Sequence, residues 1–395
     1  MIITVVGQGY VGLPLAIAAS EAGFKVFGLD KNDEKISLLN SGKSYIEDLN
    51  DSKIQKCLDS QLYVPTTNQK IISKSNLVLI CVPTPLSDSR KPDISALESA
   101  IVSVARNIKK GALIIVESTI EPGTCRNILL PILLKESGLK LGDFEFAYSP
   151  ERIDPANKTW GIRNTPKLVA GLTVDTTKRA GEFYGKFINS IVECASLEIA
   201  ETAKLLENAF RFVNISFINE LAIFCRKINI DISEVISAAA TKPYGFMPFF
   251  PSIGVGGHCI PVDPIYLANA AKAVGAQSRF IELADQVNHE LPSHFVARAE
   301  EILGAISNKT VLVIGVSYKP NVADIRETPV EALILALKEK GAEVFWHDDL
   351  VKEWNGEKSV ALNGKYDLAI LATPHDYLDL SKIGDIPFIN TQGSV

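Results

Sequence analysis

Ile2-Ile3-Thr4-Val5-Val6-Gly7-Gln8-Gly9-Tyr10-Val11-Gly12 stands near the start of the chain, and its reading decides the fold. The first five residues are all β-branched, a stiffness that suits a strand. Glycines follow at Gly7, Gly9 and Gly12, and Leu13 to Ala22 then reads as a helix. A second strand, Lys25-Val26-Phe27-Gly28-Leu29, ends in Asp30. A lone GxGxxG says little. Set between a strand and a helix, with an acid at the end of the next strand, it is the context a dinucleotide-binding turn requires. The glycines, with Tyr10 and Val11 between them, allow a tight turn and close approach, and the helix N-terminus offers partial positive charge to a pyrophosphate. Asp30 is suited to accept the adenosine ribose hydroxyls and opposes a 2′-phosphate, so the predicted cofactor is NAD. Lys31 and Lys35 beside it soften that preference.

The strand–helix alternation continues. Asn76 to Val82 is a buried strand leading to Pro83-Thr84-Pro85, and Ala112 to Glu117 is another, leading to Ser118-Thr119 and Pro122-Gly123-Thr124. Phe144 to Tyr148 leads to Ser149-Pro150-Glu151-Arg152. Functional groups in open α/β sheets collect at the carboxyl ends of strands. Thr84 and Thr119 are therefore expected to face the cofactor. Glu151 is either an active-site carboxylate or a solvated loop charge. Cys125 follows a helix-opening glycine and is a rival nucleophile on dipole grounds. Nothing else reactive surrounds it in sequence, so packing is the preferred reading.

From about Ser196 to Asn229 no glycine or proline interrupts the chain. This predicts a rod of roughly 45–50 Å at about 1.5 Å per residue, long enough to support a homodimer. Lys204 and Asn208 stand at i and i+4 and share one face. Glu201 and Glu207 fall on other faces and read as surface charges. Residues 231 to 303 read as mostly helical, interrupted by an aromatic, proline-rich lead-in and by Gly254-Val255-Gly256-Gly257-His258-Cys259-Ile260-Pro261-Val262-Asp263-Pro264. Glycines there would let backbone approach a ligand. A cysteine beside them, four residues before an aspartate, is the arrangement of a covalent nucleophile and its proton handler. The plainer reading is a structural cysteine in a glycine-rich turn.

At Thr310 a second α/β unit begins and echoes the first. Gly341-Ala342-Glu343-Val344-Phe345-Trp346-His347-Asp348 parallels Gly23-Phe24-Lys25-Val26-Phe27-Gly28-Leu29-Asp30. Its first turn lacks GxGxxG and carries Lys319, Asp324 and Arg326, a set suited to gripping phosphates with side-chain cations. The fold expected is α/β, two Rossmann-like domains (1–195 and 304–395) joined by a long central helix and a helical middle domain (196–303).

Composition narrows the function. At 395 residues and 47% hydrophobic, the chain has ample core for two or three domains. A net charge of -6 argues against nucleic acid and anionic membrane as partners. No apolar run approaches the ~20 residues of a membrane span. Six cysteines without CxxC spacing point to reduced thiols and a cytoplasmic protein, and five scattered histidines give no metal-ligand spacing.

The motifs GQGYVG with Asp30, ESTIEPGT, YSPERIDPAN, ETAKLLENAFR, GVGGHCIPVDP and GVSYKPNVADIRETP come in one order. In that order they resemble the nucleotide-sugar 6-dehydrogenases over essentially the whole chain. His258 before the cysteine, Val262 after it and the SPERIDP run look most like the UDP-N-acetylglucosamine 6-dehydrogenase branch, with UDP-N-acetylmannosamine dehydrogenase as the nearest alternative and UDP-glucose dehydrogenase behind it. The resemblance implies NAD-dependent four-electron oxidation of a UDP-sugar at C6 to the uronic acid, supplying surface polysaccharide precursors. It implies a catalytic thiol at Cys259, with Lys204, Asn208 and Asp263 in proton transfer and oxyanion binding. Thr119 and Glu151 would order the water and the acyl intermediate. Glu151, Arg152, Lys204, Asn208, Phe250, Gly256 and Lys319 would hold substrate, and Arg326 would face cofactor or phosphate. Ala156 stands where the branch commonly has glycine, and Asn390-Thr391-Gln392 where Asp-Thr-Arg is usual. A two-electron hydroxyacid dehydrogenase and an idle nucleotide-binding protein are the readings from other classes.

Overall fold

The computed structural model describes residues 1–46, 49–154, 157 and 159–393. The chain divides into two compact units, Met1–Leu206 and Glu207–Val395.

The first unit carries strands β1 (Ile2–Val6), β2 (Lys25–Leu29), β3 (Tyr63–Thr66), β4 (Leu77–Ile80), β5 (Leu113–Val116), β6 (Glu145–Tyr148), β7 (Lys167–Gly171) and β8 (Ile191–Glu193). Among the described residues they form one sheet in the order β3-β2-β1-β4-β5-β6-β7-β8. Pairing is parallel throughout except between β6 and β7. The order reverses direction between β1 and β4, which opens the crevice where such sheets bind ligands. Ile3, Val5, Leu77, Leu79, Leu113 and Ile115 enter one core. Val78, Ile80, Ile114 and Val116 enter the other. Because both faces are buried, the strands read as continuous apolar runs and not as alternation.

The helix predicted after Pro122 opens at Thr124 but is irregular in its first turns. Cys125–Leu129 forms a π-type turn, and the α-helix proper is Leu130–Ser137. Pro131 has no N–H to give the preceding turn, so the regular ladder cannot run straight through.

A helix of 31 residues, Leu197–Lys227, runs through the boundary between the units. Ile199, Leu206, Phe210, Phe217 and Phe224 are exposed along it. The second unit continues with helices Ile232–Ala240, Asp263–Ala273 and Arg279–Leu303. Strands β9 (Thr310–Ile314), β10 (Glu343–His347), β13 (Leu368–Leu371) and β14 (Phe388–Asn390) then form a parallel sheet in the order β10-β9-β13-β14. Between them lies a short hairpin of β11 (Glu353–Trp354) and β12 (Glu357–Lys358). Val311, Val313, Leu368 and Ile370 pack on one face of that sheet, and Leu312, Ile314, Ala369 and Leu371 on the other. The fold is thus α/β, with a Rossmann-type parallel sheet in each unit and helical chain between them in sequence. Among the described residues no helix is long and apolar enough to cross a membrane.

Candidate active site

The turn after β1 gives each glycine its own task. Gly7 has φ +89°, and a Cβ there would lie 2.5 Å from the Cys81 carbonyl oxygen. A Cβ on Gly12 would meet the Gly7 oxygen at 1.9 Å, so this glycine seats the helix against the turn. At Gly9 a Cβ would meet nothing within 4 Å. The space it leaves is open to a ligand, as a pyrophosphate needs. Tyr10 beside it is exposed and Val11 half-buried. Asp30 accepts the Gln8 N–H at 2.8 Å and the Asn32 N–H at 3.0 Å, which fixes its carboxylate at the end of β2. Lys35 lies over the Tyr45 ring, 5.5 Å from its centroid, and Tyr45 donates to the Gln8 carbonyl. Burial, with Asp30 adding to it, pushes the Tyr45 phenol up, so it stays a donor. Thr84, past β4, is buried. Thr119, past β5, is half-buried.

A second cluster in this unit lies at the ends of β5, β6 and β7. Glu117 is wholly buried and accepts from both the Lys167 ammonium and the Tyr184 hydroxyl. Lys167 also donates to the Pro150 carbonyl at 3.1 Å and lies 3.9 Å from the Glu151 carboxylate. Burial alone would lower the Lys167 ammonium, but Glu117 and then Glu151 outweigh it and hold it above the ordinary lysine value. Burial also pushes the Glu117 carboxyl up against the pull of Lys167. With two donors on Glu117, the geometry is that of an ion pair. Glu151, half-buried, folds back to accept the Arg152 and Ile153 N–H groups, and Arg152 ties the same turn to the Pro166 carbonyl at 2.7 Å. Pro155 and Ala156 of that motif lie outside the described residues. Sequence reasoning missed Glu117, Lys167 and Tyr184; only the acid at the end of β5 hinted at them.

Glu201 corrects an expectation. It is fully buried, not a surface charge, and accepts the Gly123 N–H at 2.5 Å and the Cys125 N–H at 3.0 Å. Burial raises its carboxyl, and those two N–H groups offset the rise only in part. Cys125 is likewise fully buried, and burial followed by Glu201 pushes its thiol well up. A buried thiol facing a carboxylate cannot supply thiolate at neutral pH. Cys125 packs.

Lys204 and Asn208 are also buried, at 7% and 8% exposure, which removes the reading of a solvated stripe. In the second unit Asn208 Nδ2 donates to Asp263 Oδ2 at 2.6 Å, and Asp263 is 2% exposed. The Cys259 carbonyl accepts the Asp263 N–H at 2.9 Å, so the cysteine and the aspartate share one turn at the start of helix Asp263–Ala273. Cys259 itself is exposed. His258 next to it is half-buried, and burial, then Arg326, keep its imidazole below the ordinary histidine value and neutral at pH 7.

The glycines of this loop are crowded by the chain itself. A Cβ on Gly256 would lie 2.7 Å from the Glu327 carbonyl oxygen, and one on Gly257, with φ +87°, would lie 2.6 Å from the Tyr318 ring. They therefore admit the 318–329 segment, where the sequence suggested a ligand. Asn288, unmarked in the sequence, anchors the loop by accepting the Val255 N–H at 2.6 Å. Phe250 is 59% exposed. Lys319 is half-buried, with its ammonium 5.8 Å from the Tyr318 ring centroid. Arg326 Nε lies 2.9 Å from Asp324 Oδ1, the guanidinium forking onto that carboxylate. The second unit thus presents a thiol beside a buried amide–carboxylate pair, a set able to form and release a covalent adduct.

Models of the UDP-glucose/GDP-mannose dehydrogenase family match residues 1–188 as the NAD binding domain, 198–290 as the central domain and 312–387 as the UDP binding domain. The UDP-N-acetyl-D-glucosamine 6-dehydrogenase of Pseudomonas aeruginosa is 33% identical, over 94% of this chain and 90% of its own. The UDP-N-acetyl-D-mannosamine dehydrogenase of Pyrococcus horikoshii is also 33% identical, over 95% and 90%. A solved structure of the Pyrococcus horikoshii UDP-D-ManNAc dehydrogenase superposes with a TM-score of 0.92 at 31% identity, covering 100% of this chain and 96% of that one.

Proposed function

Because the chain belongs to the UDP-glucose/GDP-mannose dehydrogenase family of NAD-dependent enzymes, we propose that it oxidises a UDP-N-acetylhexosamine, UDP-N-acetylglucosamine first, at C6 to the uronic acid. The observation that carries the reading is the turn on which exposed Cys259 is joined to Asp263, itself held by Asn208. Bound NAD supplies the two-electron acceptor for each of two oxidations. The first converts the primary alcohol to the aldehyde and releases a proton. The Cys259 sulfur then adds to the aldehyde carbon and its proton passes to the oxygen, giving a thiohemiacetal. Loss of two electrons and two protons from it, one proton with the electron pair and one from the hydroxyl, leaves a thioester. Water breaks the C–S bond, which forms the carboxylate, releases a proton and regenerates the thiol. In this proposal Asp263 takes up and returns the reaction's proton, with its carboxylate held in one orientation by Asn208. Preorganised donors at a developing oxyanion typically contribute ~3–4 kcal/mol. The family motifs bring Lys204, Thr119 and Glu151 into the same proposal, as oxyanion donor and as the groups that order water.

The test is a panel of UDP-GlcNAc, UDP-ManNAc, UDP-Glc, UDP-GalNAc and GDP-Man, read as NADH formed per sugar consumed. Two NADH with UDP-GlcNAc as the preferred sugar is expected. One NADH would mean a two-electron dehydrogenase, and none an idle binder. Cys259→Ser should fold, bind both ligands and stop making uronate, while Cys125→Ser keeps most activity. Repeated turnover by Cys259→Ser at the wild-type rate would remove the covalent route.

We further propose a homodimer built on the long helix. Phe210, Phe217 and Phe224 recur every seventh residue and are 47%, 58% and 56% exposed, a stripe that a second copy would cover. Light scattering at micromolar concentration should give twice the chain mass; a monomer there would reject the dimer.

A further inference from the structure

Past the end of β14 lies a hollow that the oxidation chemistry does not use. Asn219 and Arg226 of the long helix, Ser252 of the loop, His294 and Arg298 of helix Arg279–Leu303, and Thr391 line it. All of them belong to the second unit.

Its polar groups are nearly all donors. Arg298 is 5% exposed, and among the described residues its Nε has no hydrogen-bond partner. Asn219 is 2% exposed, and its Nδ2 also has none. The orientation of that amide is set, because Asn219 Oδ1 accepts the Ser252 N–H at 2.8 Å, which leaves the NH₂ toward the hollow. Arg226 adds a second guanidinium, held at 2.6 Å by the exposed Glu301. Thr391 already donates to the Ala372 carbonyl. Burial, then Arg298, Arg226 and Lys227, hold the His294 imidazole down to about 4, with only Glu301 opposing them. Buried donors are normally paired, and Glu301, the carboxylate that acts on this pair of guanidinium groups, is engaged by Arg226. One acceptor in the hollow would satisfy both Arg298 Nε and Asn219 Nδ2.

We propose that Arg298, Arg226 and Asn219 form a binding site for a tetrahedral oxyanion of the phosphate or sulfate class. Two guanidinium groups offer planar forks that match such an anion, and a neutral amide N–H completes a third side. The Arg298 guanidinium, 5.7 Å from the Phe295 ring centroid, is backed by an apolar wall that strengthens the attraction.

The test is calorimetric titration of the full chain with sulfate, inorganic phosphate and UDP. Wild type should bind sulfate, and Arg298→Leu should weaken it by at least about tenfold. Arg298 is buried and that variant could unfold, so Glu301→Gln is the second arm. Freeing Arg226 from an exposed carboxylate should tighten sulfate by roughly twofold to fivefold. Tightening of inorganic phosphate but not UDP identifies a free oxyanion; tightening of both identifies a phosphate carried on a nucleotide. Bound sulfate should also raise the His294 titration point, read by NMR. A chain ending at Gly393 should bind sulfate as the full chain does. Sulfate affinity indifferent to Glu301→Gln, a fixed His294 titration, or marked tightening on ending at Gly393 would each overturn the assignment.

Discussion

Asp30 follows strand β2 and Asp348 follows strand β10, equivalent places in two sheets built on the same plan. Each follows a first strand whose exit is a left-handed glycine: Gly7 at φ +89° and Gly315 at φ +79°. The two carboxylates nonetheless have opposite fates. Asp30 is half-buried and takes one backbone N–H on each oxygen, which leaves lone pairs for a ribose. Asp348 is wholly buried and takes the N–H groups of Val316, Leu350 and Val351, with His375 Nε2 at 3.1 Å. It has no capacity left for a ligand. Where the first turn has open space at Gly9, the second has buried Ser317. The same architecture therefore recognises a dinucleotide in one unit, while in the other its acid has become internal structure. A duplicated strand-end acid is not by itself a duplicated binding site.

The comparison can be broken first at the glycines the two turns share. Gly315→Ala places a Cβ 2.0 Å from the Thr373 oxygen, and Gly7→Ala places one 2.5 Å from the Cys81 oxygen, both at positive φ. Each should lose on the order of 3 kcal/mol or more of stability, with Gly315→Ala the worse. Urea midpoints of the two variants check this; a loss under about 1 kcal/mol in either would show that the turn can relax.

Asp348→Asn should come next, at about 3 kcal/mol, because an amide cannot accept all those donors. Burial pulls this carboxyl up, but the hydrogen bonds from His375, Val316 and Val351 win and depress it from 3.8 to about 2. A depressed carboxyl adds stability that is present above the unfolded value and is lost as pH falls through the folded one. The wild type should therefore lose about 2 kcal/mol from this group between pH 5 and pH 2. The Asn variant should show a flatter acid limb in the same range.

Asp30→Asn sharpens the contrast, since it should act on the ligand and not on the fold. Loss of charged hydrogen bonds to a ribose is worth roughly 1.5–3 kcal/mol, so the NAD KM should rise by about ten- to a hundredfold and the preference over NADP should shrink. The melting temperature should barely move. A large loss of stability without a change in KM would make Asp30 a structural acid like Asp348.

Gly9→Ala is the smallest expected effect on the fold, within about 0.5 kcal/mol, because its Cβ meets open space. The same methyl group enters the space kept for the pyrophosphate, so NAD binding should weaken while the denaturation midpoint stays. Stability lost in step with binding would mean that the open space is not a ligand's.

The local sequence determined much of this molecule. Five β-branched residues before three spaced glycines, and an acid after the next strand, settled the first turn because backbone sterics leave few other conformations for that pattern. The uninterrupted stretch that became Leu197–Lys227 was legible for the same local reason. The proposed nucleophile was marked by its neighbours in sequence. Tertiary structure alone decided what each charge faces. Glu201 lies on a helix face that sequence spacing assigned to solvent, yet residues 123 to 125 cover it. Glu117 meets Lys167 across 50 residues, Asn208 meets Asp263 across 55, and Asn288 holds Val255 across 33. Asp30 and Asp348 follow equivalent strands, and only the donors folded around each left one with lone pairs to spare and made the other part of the core. Burial and pairing are properties of the surroundings in space, and a chain read in order does not contain them.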